Sequence, residues 1–204
     1  NINYSLNDKS ELSLSYGLHS QILPLPVYFV TQDDESNGVN NKNLELNKAH
    51  HIVLSHQYEF NNYTRIKTEV YHQRLFNVPV GLNENENYSI INQQFQYPRF
   101  ALINEGKGRN TGIETTIERF MQNNLYYIFT TSISDSKYKT PTSKWIDSRY
   151  NTKYSFIATI GKEWTKGKNK QNIFGINIKS LLVGGQRYTP IDKEASKIEE
   201  KEIL

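Results

Sequence analysis

The feature that most limits what this chain can fold into is a strict two-residue alternation carried over long stretches. In Glu11–Gln21, Leu12, Leu14, Tyr16 and Leu18 fall on one side of an extended strand, and Glu11, Ser13, Ser15, Gly17 and His19 on the other. Ala49–Phe60 repeats the pattern with Ile52, Leu54, Tyr58 and Phe60 in one row. Thr64–Phe76 sets Ile66, Thr68 and Val70 against Lys67, Glu69, Tyr71 and Gln73. Ile113, Thr115 and Ile117 oppose Glu114, Thr116 and Glu118. Two carboxylates on one strand face require that face to meet water. Leu125–Ser134, Tyr150–Glu163 (Tyr154, Phe156, Ala158, Ile160) and Asn172–Val183 (Phe174, Ile176, Ile178) continue the series, and Asn1–Leu6 reads as the end of a strand.

The connections alternate too. Asn7-Asp8-Lys9-Ser10, Asn61-Asn62, Gln122-Asn123-Asn124 and Lys166–Lys170 are short turns, and Asn suits them because it tolerates the left-handed conformation. Gln21–Asn47 (with Pro24 and Pro26) and Asn77–Arg109 (with Pro79, Pro98 and several glycines) are long; Lys139–Ser148 is a shorter loop. The glycines Gly106, Gly108 and Gly112 are expected to form a loop that leads into the Ile113 strand. Strands of about 10 to 14 residues exceed the usual five or six of soluble sheets. They match membrane-crossing strands, which have short turns at one end and long loops at the other. A soluble sandwich has turn signals every 8–12 residues or so and no such sidedness. The fold expected is all-β, an antiparallel up-and-down meander of about seven to eight strands. Arg119 and Lys162 fall in the apolar rows, but beside short turns, where they can snorkel. His56, between Leu54 and Tyr58, is the misfit. The polar remainder from Gly184 is expected to be at most a short exposed helix.

Composition removes other classes. With no cysteine, neither disulfides nor a thiolate metal site is possible. A net charge of +3, with both signs mixed, leaves no nucleic-acid footprint. Hydrophobic residues make up only 36% of the chain, too few for an ordinary core, yet 12% are aromatic, too many for disorder. No apolar run is long enough for a membrane helix, and Asn1 points to a piece of a longer protein. Neighbours on a strand face opposite ways, so His50 and His51 cannot chelate one ion and Ser55 with His56 cannot form a hydrolytic pair. The glycines precede a strand, so no helix N-terminus is at hand for a phosphate. No enzymatic activity, cofactor or metal is expected.

Asn104, Gly106, Arg109, Gly112 and Glu114 resemble the N-x-G…G-[IV]-E element in the barrels of TonB-dependent outer-membrane receptors. GLHSQILPLPVYF (Gly17–Phe29), RIKTEVYHQRLFNVPV (Arg65–Val80), SDSKYK (Ser134–Lys139) and GGQRYTPID (Gly184–Asp192) resemble receptors whose plug follows a carboxypeptidase-regulatory-like domain. The resemblance implies a plugged transmembrane β-barrel, roughly 22-stranded, in the outer membrane of a Gram-negative bacterium. The chain would be about a third of it, from the later part, without plug, N-terminal domain or final strands. It implies active uptake of a scarce nutrient such as a siderophore or glycan, a small-molecule or oligomeric ligand. Its partners would be outer-membrane lipid, the protein's own plug, and the TonB complex reached through the plug. Lys67, Glu69, Tyr71, Gln73, Glu114 and Glu118 would then line the lumen and the ligand route. Loop aromatics (Tyr28, Phe29, Tyr88, Phe95, Tyr97, Phe100, Trp145) could stack on a ligand, Tyr97 and Trp145 foremost. The alternative is a secreted β-sandwich that binds carbohydrate or adheres through Tyr and Trp, and that would fold as a soluble monomer.

Overall fold

The computed structural model describes residues 1–29, 41–82, 88–93, 97, 98, 100–169, 171–187 and 197. Its strands are β1 (Ile2–Asn7), β2 (Ser10–Gln21), β3 (Asn47–Asn61), β4 (Thr64–Gly81), β5 (Leu102–Gln122), β6 (Leu125–Lys139), β7 (Ile146–Asp147), β8 (Tyr154–Lys166) and β9 (Asn172–Val183). A one-turn helix, α1 (Leu25–Tyr28), follows β2, and a 3-10 turn at Ile90–Asn92 precedes β5. All nine strands form one antiparallel sheet in chain order, with the two-residue β7 set beside the end of β6. The sheet is a meander and does not close: β1 and β9 are its edges. Short turns lie at one end and the long connections at the other.

Two strands run further than the alternation suggests. β4 has 18 residues and β5 has 21, so the stretch Asn104–Gly112, expected to be loop, is strand, paired with β4 and, from Lys107 onward, with β6 as well. The glycines are there for close approach. A Cβ on Gly106 would lie 2.7 Å from the Val78 carbonyl oxygen, and one on Gly108 2.8 Å from Ile91 Cδ1. On Gly112 it would lie 2.5 Å from the Tyr71 hydroxyl and 2.9 Å from the Ile133 carbonyl oxygen. Asn77, with φ of 55°, forms a bulge that shifts the register between Leu75 and Val78 and admits Pro79 to the strand. Similarly, β6 continues to Lys139, whereas β8 begins at Tyr154 rather than Tyr150. Tyr150 lies in the preceding turn, its hydroxyl donating to the Gln93 carbonyl at 2.8 Å.

The turns show two uses of asparagine. Asn123 and Asn124 both have positive φ (54° and 59°), the two-residue turn that matches strand twist. The β3–β4 turn falls at Asn62–Tyr63 and not at Asn61-Asn62. There Asn61 works through its side chain, accepting from the Tyr63 amide at 3.0 Å, as Asn7 does from Lys9 at 2.9 Å. From Gly184 onward only Gly184–Arg187, which are neither helix nor strand, and Lys197 are described, so the stretch in which a short helix was expected lies almost wholly outside the described residues.

The register stacks the rows into two faces. Leu14, Leu54, Val70, Ile113, Ile133 and Tyr154 are consecutive partners across six strands. One residue along, Ser13, Ser55, Glu69, Glu114, Ser132 and Ser155 line the opposite face. Near the short turns the apolar face carries ring pairs: Tyr58 with Phe60 at 5.1 Å, Tyr127 with Phe129 at 5.2 Å, Trp164 with Phe174 at 5.8 Å. Near the other end His50 stacks between Tyr16 (6.1 Å) and Phe76 (5.1 Å). His56 is reconciled with the apolar face by Ser10, whose hydroxyl lies 2.8 Å from Nε2. Lys162 reaches back to the turn and donates to the Asn123 carbonyl at 3.0 Å.

The apolar band is slanted. On β2 it runs from Leu12 to Leu18, centred on Ser15; on β9 it runs from Phe174 to Leu182, centred on Ile178. Carried through the ladder, Ser15 aligns with Val53, Tyr71, Gly112 and Ser134, and by extension with Gly185. The band therefore drifts by about seven residues over six inter-strand steps. That is roughly 23 Å along the strands for roughly 29 Å across, an angle near 40°.

Among the described residues no second layer covers the apolar face, and the polar face is covered only at its long-loop end. The accessible surface is 14603 Å², about half as much again as the roughly 9,900 Å² expected of a compact monomer of 23.8 kDa. Packing inside the sheet is therefore a matter of neighbouring side chains on each face. Gly161 illustrates it: a Cβ there would fall within the Tyr126 ring and against the Asn177 amide. Gly161→Ala is expected to destabilise the fold by about 1–3 kcal/mol. Adding Tyr126→Ser should recover most of the loss, as read by denaturant unfolding in detergent; a loss unchanged by the second substitution would refute the packing account.

Candidate functional site

The polar face brings six of the eight predicted residues together. Lys67, Glu69, Tyr71 and Gln73 of β4 stand opposite Thr116, Glu114, Gly112 and Asn110 of β5, and Glu118 stands opposite Arg65. Glu69 and Glu114 are thus like charges side by side, a costly pairing that the Lys67 ammonium, 2.9 Å from the Glu69 carboxylate, offsets. Arg65 and Glu118 form an ion pair. The phenol end of Tyr71 lies against Gly112, in the space a side chain there would fill.

A hydrogen-bond ladder joins the neighbouring residues. The Asn110 amide donates to Gln73 Oε1 at 2.7 Å, Ser136 donates to Asn110 Oδ1 at 2.6 Å, and Ser148 donates to Ser136 at 3.1 Å. Thr116 and Thr130 hydroxyls are 3.1 Å apart, and those of Ser13 and Ser55 2.6 Å. Ser55 is thus bound to Ser13 on this face while His56 is bound to Ser10 on the other. Sequence reasoning missed Arg65, Asn110 and Ser136. Arg65 was legible from its parity with Lys67; Asn110 was not, because it lies where loop was expected, nor was Ser136, which lies beyond the strand read over Leu125–Ser134.

At the long-loop end the connections fold over this face. Ile91 packs on Gly108, and the Asn92 amide donates to the Tyr138 hydroxyl at 3.1 Å. A small apolar body of Leu23, Val27 and Leu102 forms beside them, with Tyr28, Leu44, Tyr88, Ile90 and Phe100 packed against it. The buried Asn41 stitches it together: its amide donates to the Val27 and Phe100 carbonyls at 3.0 and 3.1 Å, and its oxygen accepts from the Leu102 amide at 2.9 Å. Asn104, from the receptor-like element, ties the β2–β3 connection and the β4 bulge to β5. It accepts from the Glu45 amide at 2.8 Å and donates to the Asn77 carbonyl at 2.8 Å and the Glu45 carbonyl at 3.2 Å.

The loop aromatics divide. Tyr28, Tyr88 and Phe100 are packing residues; Tyr88 and Phe100 meet edge to face at 5.0 Å, and burial pushes the Tyr88 hydroxyl pKa up. Phe29 is exposed, with the Lys42 ammonium 5.9 Å from its ring. Tyr97 is exposed in the β4–β5 connection. Trp145 packs against Arg109 (4.6 Å) and Lys139 (5.7 Å), whose strand positions belong to the apolar face, so it stands apart from the Lys67–Glu118 group. Phe95 lies outside the described residues. A polar hollow of about 370 Å³ lies at the short-turn end, lined by Asp8, Glu11, Gln57 and Glu59 among others.

Among known proteins, no family model matches the chain, and no curated protein matches it.

Asn41→Ala would strand one buried amide and two carbonyls, at a cost of about 1–3 kcal/mol to the loop body. The Leu102 amide should then exchange hydrogen faster by at least fivefold while amides in the middle of β5 hold their rates; equal protection in both proteins would contradict this.

Proposed function

We propose that the chain is a wall section of a transmembrane β-barrel, belonging to a TonB-dependent outer-membrane transporter that takes up a scarce nutrient. The observation that carries the barrel reading is the slant of the apolar band. An angle near 40° between band and ladder is the tilt of roughly 35–45° that strands take in a membrane barrel. The rings near both ends of the band match the aromatic girdles at membrane interfaces. The transporter reading is the finer step, and it rests on the receptor-like stretches. It is supported by the role of Asn104, which anchors the long β2–β3 connection to β5, and by the polar face onto which the long connections fold.

In this reading the long loops meet the ligand outside the cell. The Arg65–Gln73 and Glu114–Glu118 segments line the route inward against the plug, and TonB moves the plug at the expense of the proton-motive force. The wall itself performs no catalysis. A soluble, secreted sandwich that binds glycans needs a second layer over Leu14, Leu54, Val70 and Ile113, and the described residues supply none.

Two neighbours test the orientation. Ile113→Arg puts a cation into lipid, at a cost of about 2–4 kcal/mol at the midplane, and should sharply reduce the heat-modifiable folded form in outer-membrane fractions. Glu114→Arg should leave that form nearly intact. Equal tolerance of both, with the protein recovered from the soluble fraction, would reject the barrel. Within a folded receptor, Glu69→Lys should change uptake per inserted molecule. If insertion fell instead while uptake per molecule held, the lumen assignment of β4 would be wrong.

A further inference from the structure

The apolar face ends, on the long-loop side, in a row of cations. Arg74 of β4 lies directly opposite Arg109 of β5, and Lys107 of β5 directly opposite Lys139 of β6. Lys48 joins them from β3, beside Phe76. Like charges placed opposite each other destabilise a sheet. None of these five makes an ion pair among the described residues. The nearby carboxylates of Asp135 and Asp147 are held by Lys137, Lys153 and Arg187. The Trp145 ring packs against both Arg109 and Lys139, an amphipathic side chain at the border between the apolar band and the charges. At the other end of the same face Arg119, Lys162 and Lys166 each stand opposite uncharged residues, and the Lys162 ammonium is bound to the Asn123 carbonyl.

The heights fit a lipid leaflet. Arg74 is four residues beyond Val70, about 13 Å along the strand and roughly 10 Å up the wall at the tilt above. The Arg74–Arg109 and Lys107–Lys139 pairs are two residues apart on β5, about 7 Å. One phosphate neutralises one pair; a headgroup with two phosphates spans both.

We propose that Lys48, Arg74, Lys107, Arg109 and Lys139, with Trp145, bind the phosphorylated headgroup of an anionic lipid in the leaflet on the long-loop side. The proposal rests on the barrel reading and adds a lipid site outside the ligand route. Each cation near a charged membrane surface is worth about fivefold in binding, so three together are worth roughly a hundredfold.

The test uses the protein as its gene encodes it, folded into phosphatidylcholine vesicles. These carry either a bisphosphorylated acylated disaccharide lipid or its dephosphorylated form, and the lipid retained after detergent extraction is counted by native mass spectrometry. The wild type should retain the bisphosphorylated form in strong preference, and R74Q/R109Q/K139Q should lose roughly a hundredfold of that retention while still inserting. Equal retention of the two lipids by inserted wild type would overturn the headgroup site and leave the barrel standing. Failure of the wild type to insert into either vesicle would overturn the barrel reading, and the site with it.

Discussion

Everything in this structure depends on one sheet having an apolar face that its own described residues do not cover. A soluble fold of this size hides most of its large apolar side chains, yet here Leu14, Ile52, Leu54, Val70, Ile113, Ile133 and Ile178 are all exposed. The alternation is too regular for that exposure to be accidental, since a one-residue slip would move every one of these side chains to the wet face. In the proposed barrel the environment supplies what the described residues lack: a two-sided medium, apolar outside and aqueous inside.

With no layered core, order comes from fitted pairs within the sheet. Tyr71 at Gly112 and Tyr126 at Gly161 place ring atoms in the space left by a missing Cβ. Ladders of Ser, Thr, Asn and Gln satisfy the polar face locally, and ion pairs at Arg65–Glu118 and Lys67–Glu69 keep its charges balanced. The fully buried residues, Val27, Val78 and Val80 among them, cluster where the connections gather at one end. That end is a small conventional core mounted on a wall that has none.

How much of this was legible from the residues alone follows from how local each cause is. The rows of β2, β3, β4 and β9 could be read directly, because side-chain parity is a property of the strand itself. The Asn123-Asn124 turn was equally local. The glycine stretch was not: Gly106, Gly108 and Gly112 look like a loop until the atoms that fill their missing side chains are known. Those atoms, from Val78, Ile91, Tyr71 and Ile133, come from other strands and connections. His56 looked anomalous for the same reason, since its partner Ser10 lies 46 positions away. Trp145 and Arg109 are likewise joined only by folding.

The two ends of the apolar face explain why these errors fell where they did. Toward the short turns the band runs almost to the hairpins, so the pattern that marks a strand lasts as long as the strand does. Toward the long connections, β4, β5 and β6 continue beyond the band, through residues such as Arg74, Arg109 and Lys137 on one side and Gln73, Asn110 and Ser136 on the other. Once both faces meet polar surroundings, alternation disappears although the backbone pairing does not. The period-two signal therefore measures the extent of the apolar row and not the length of the strand. In the proposed barrel, the mismatch between the two locates the border at which the wall rises clear of the apolar medium.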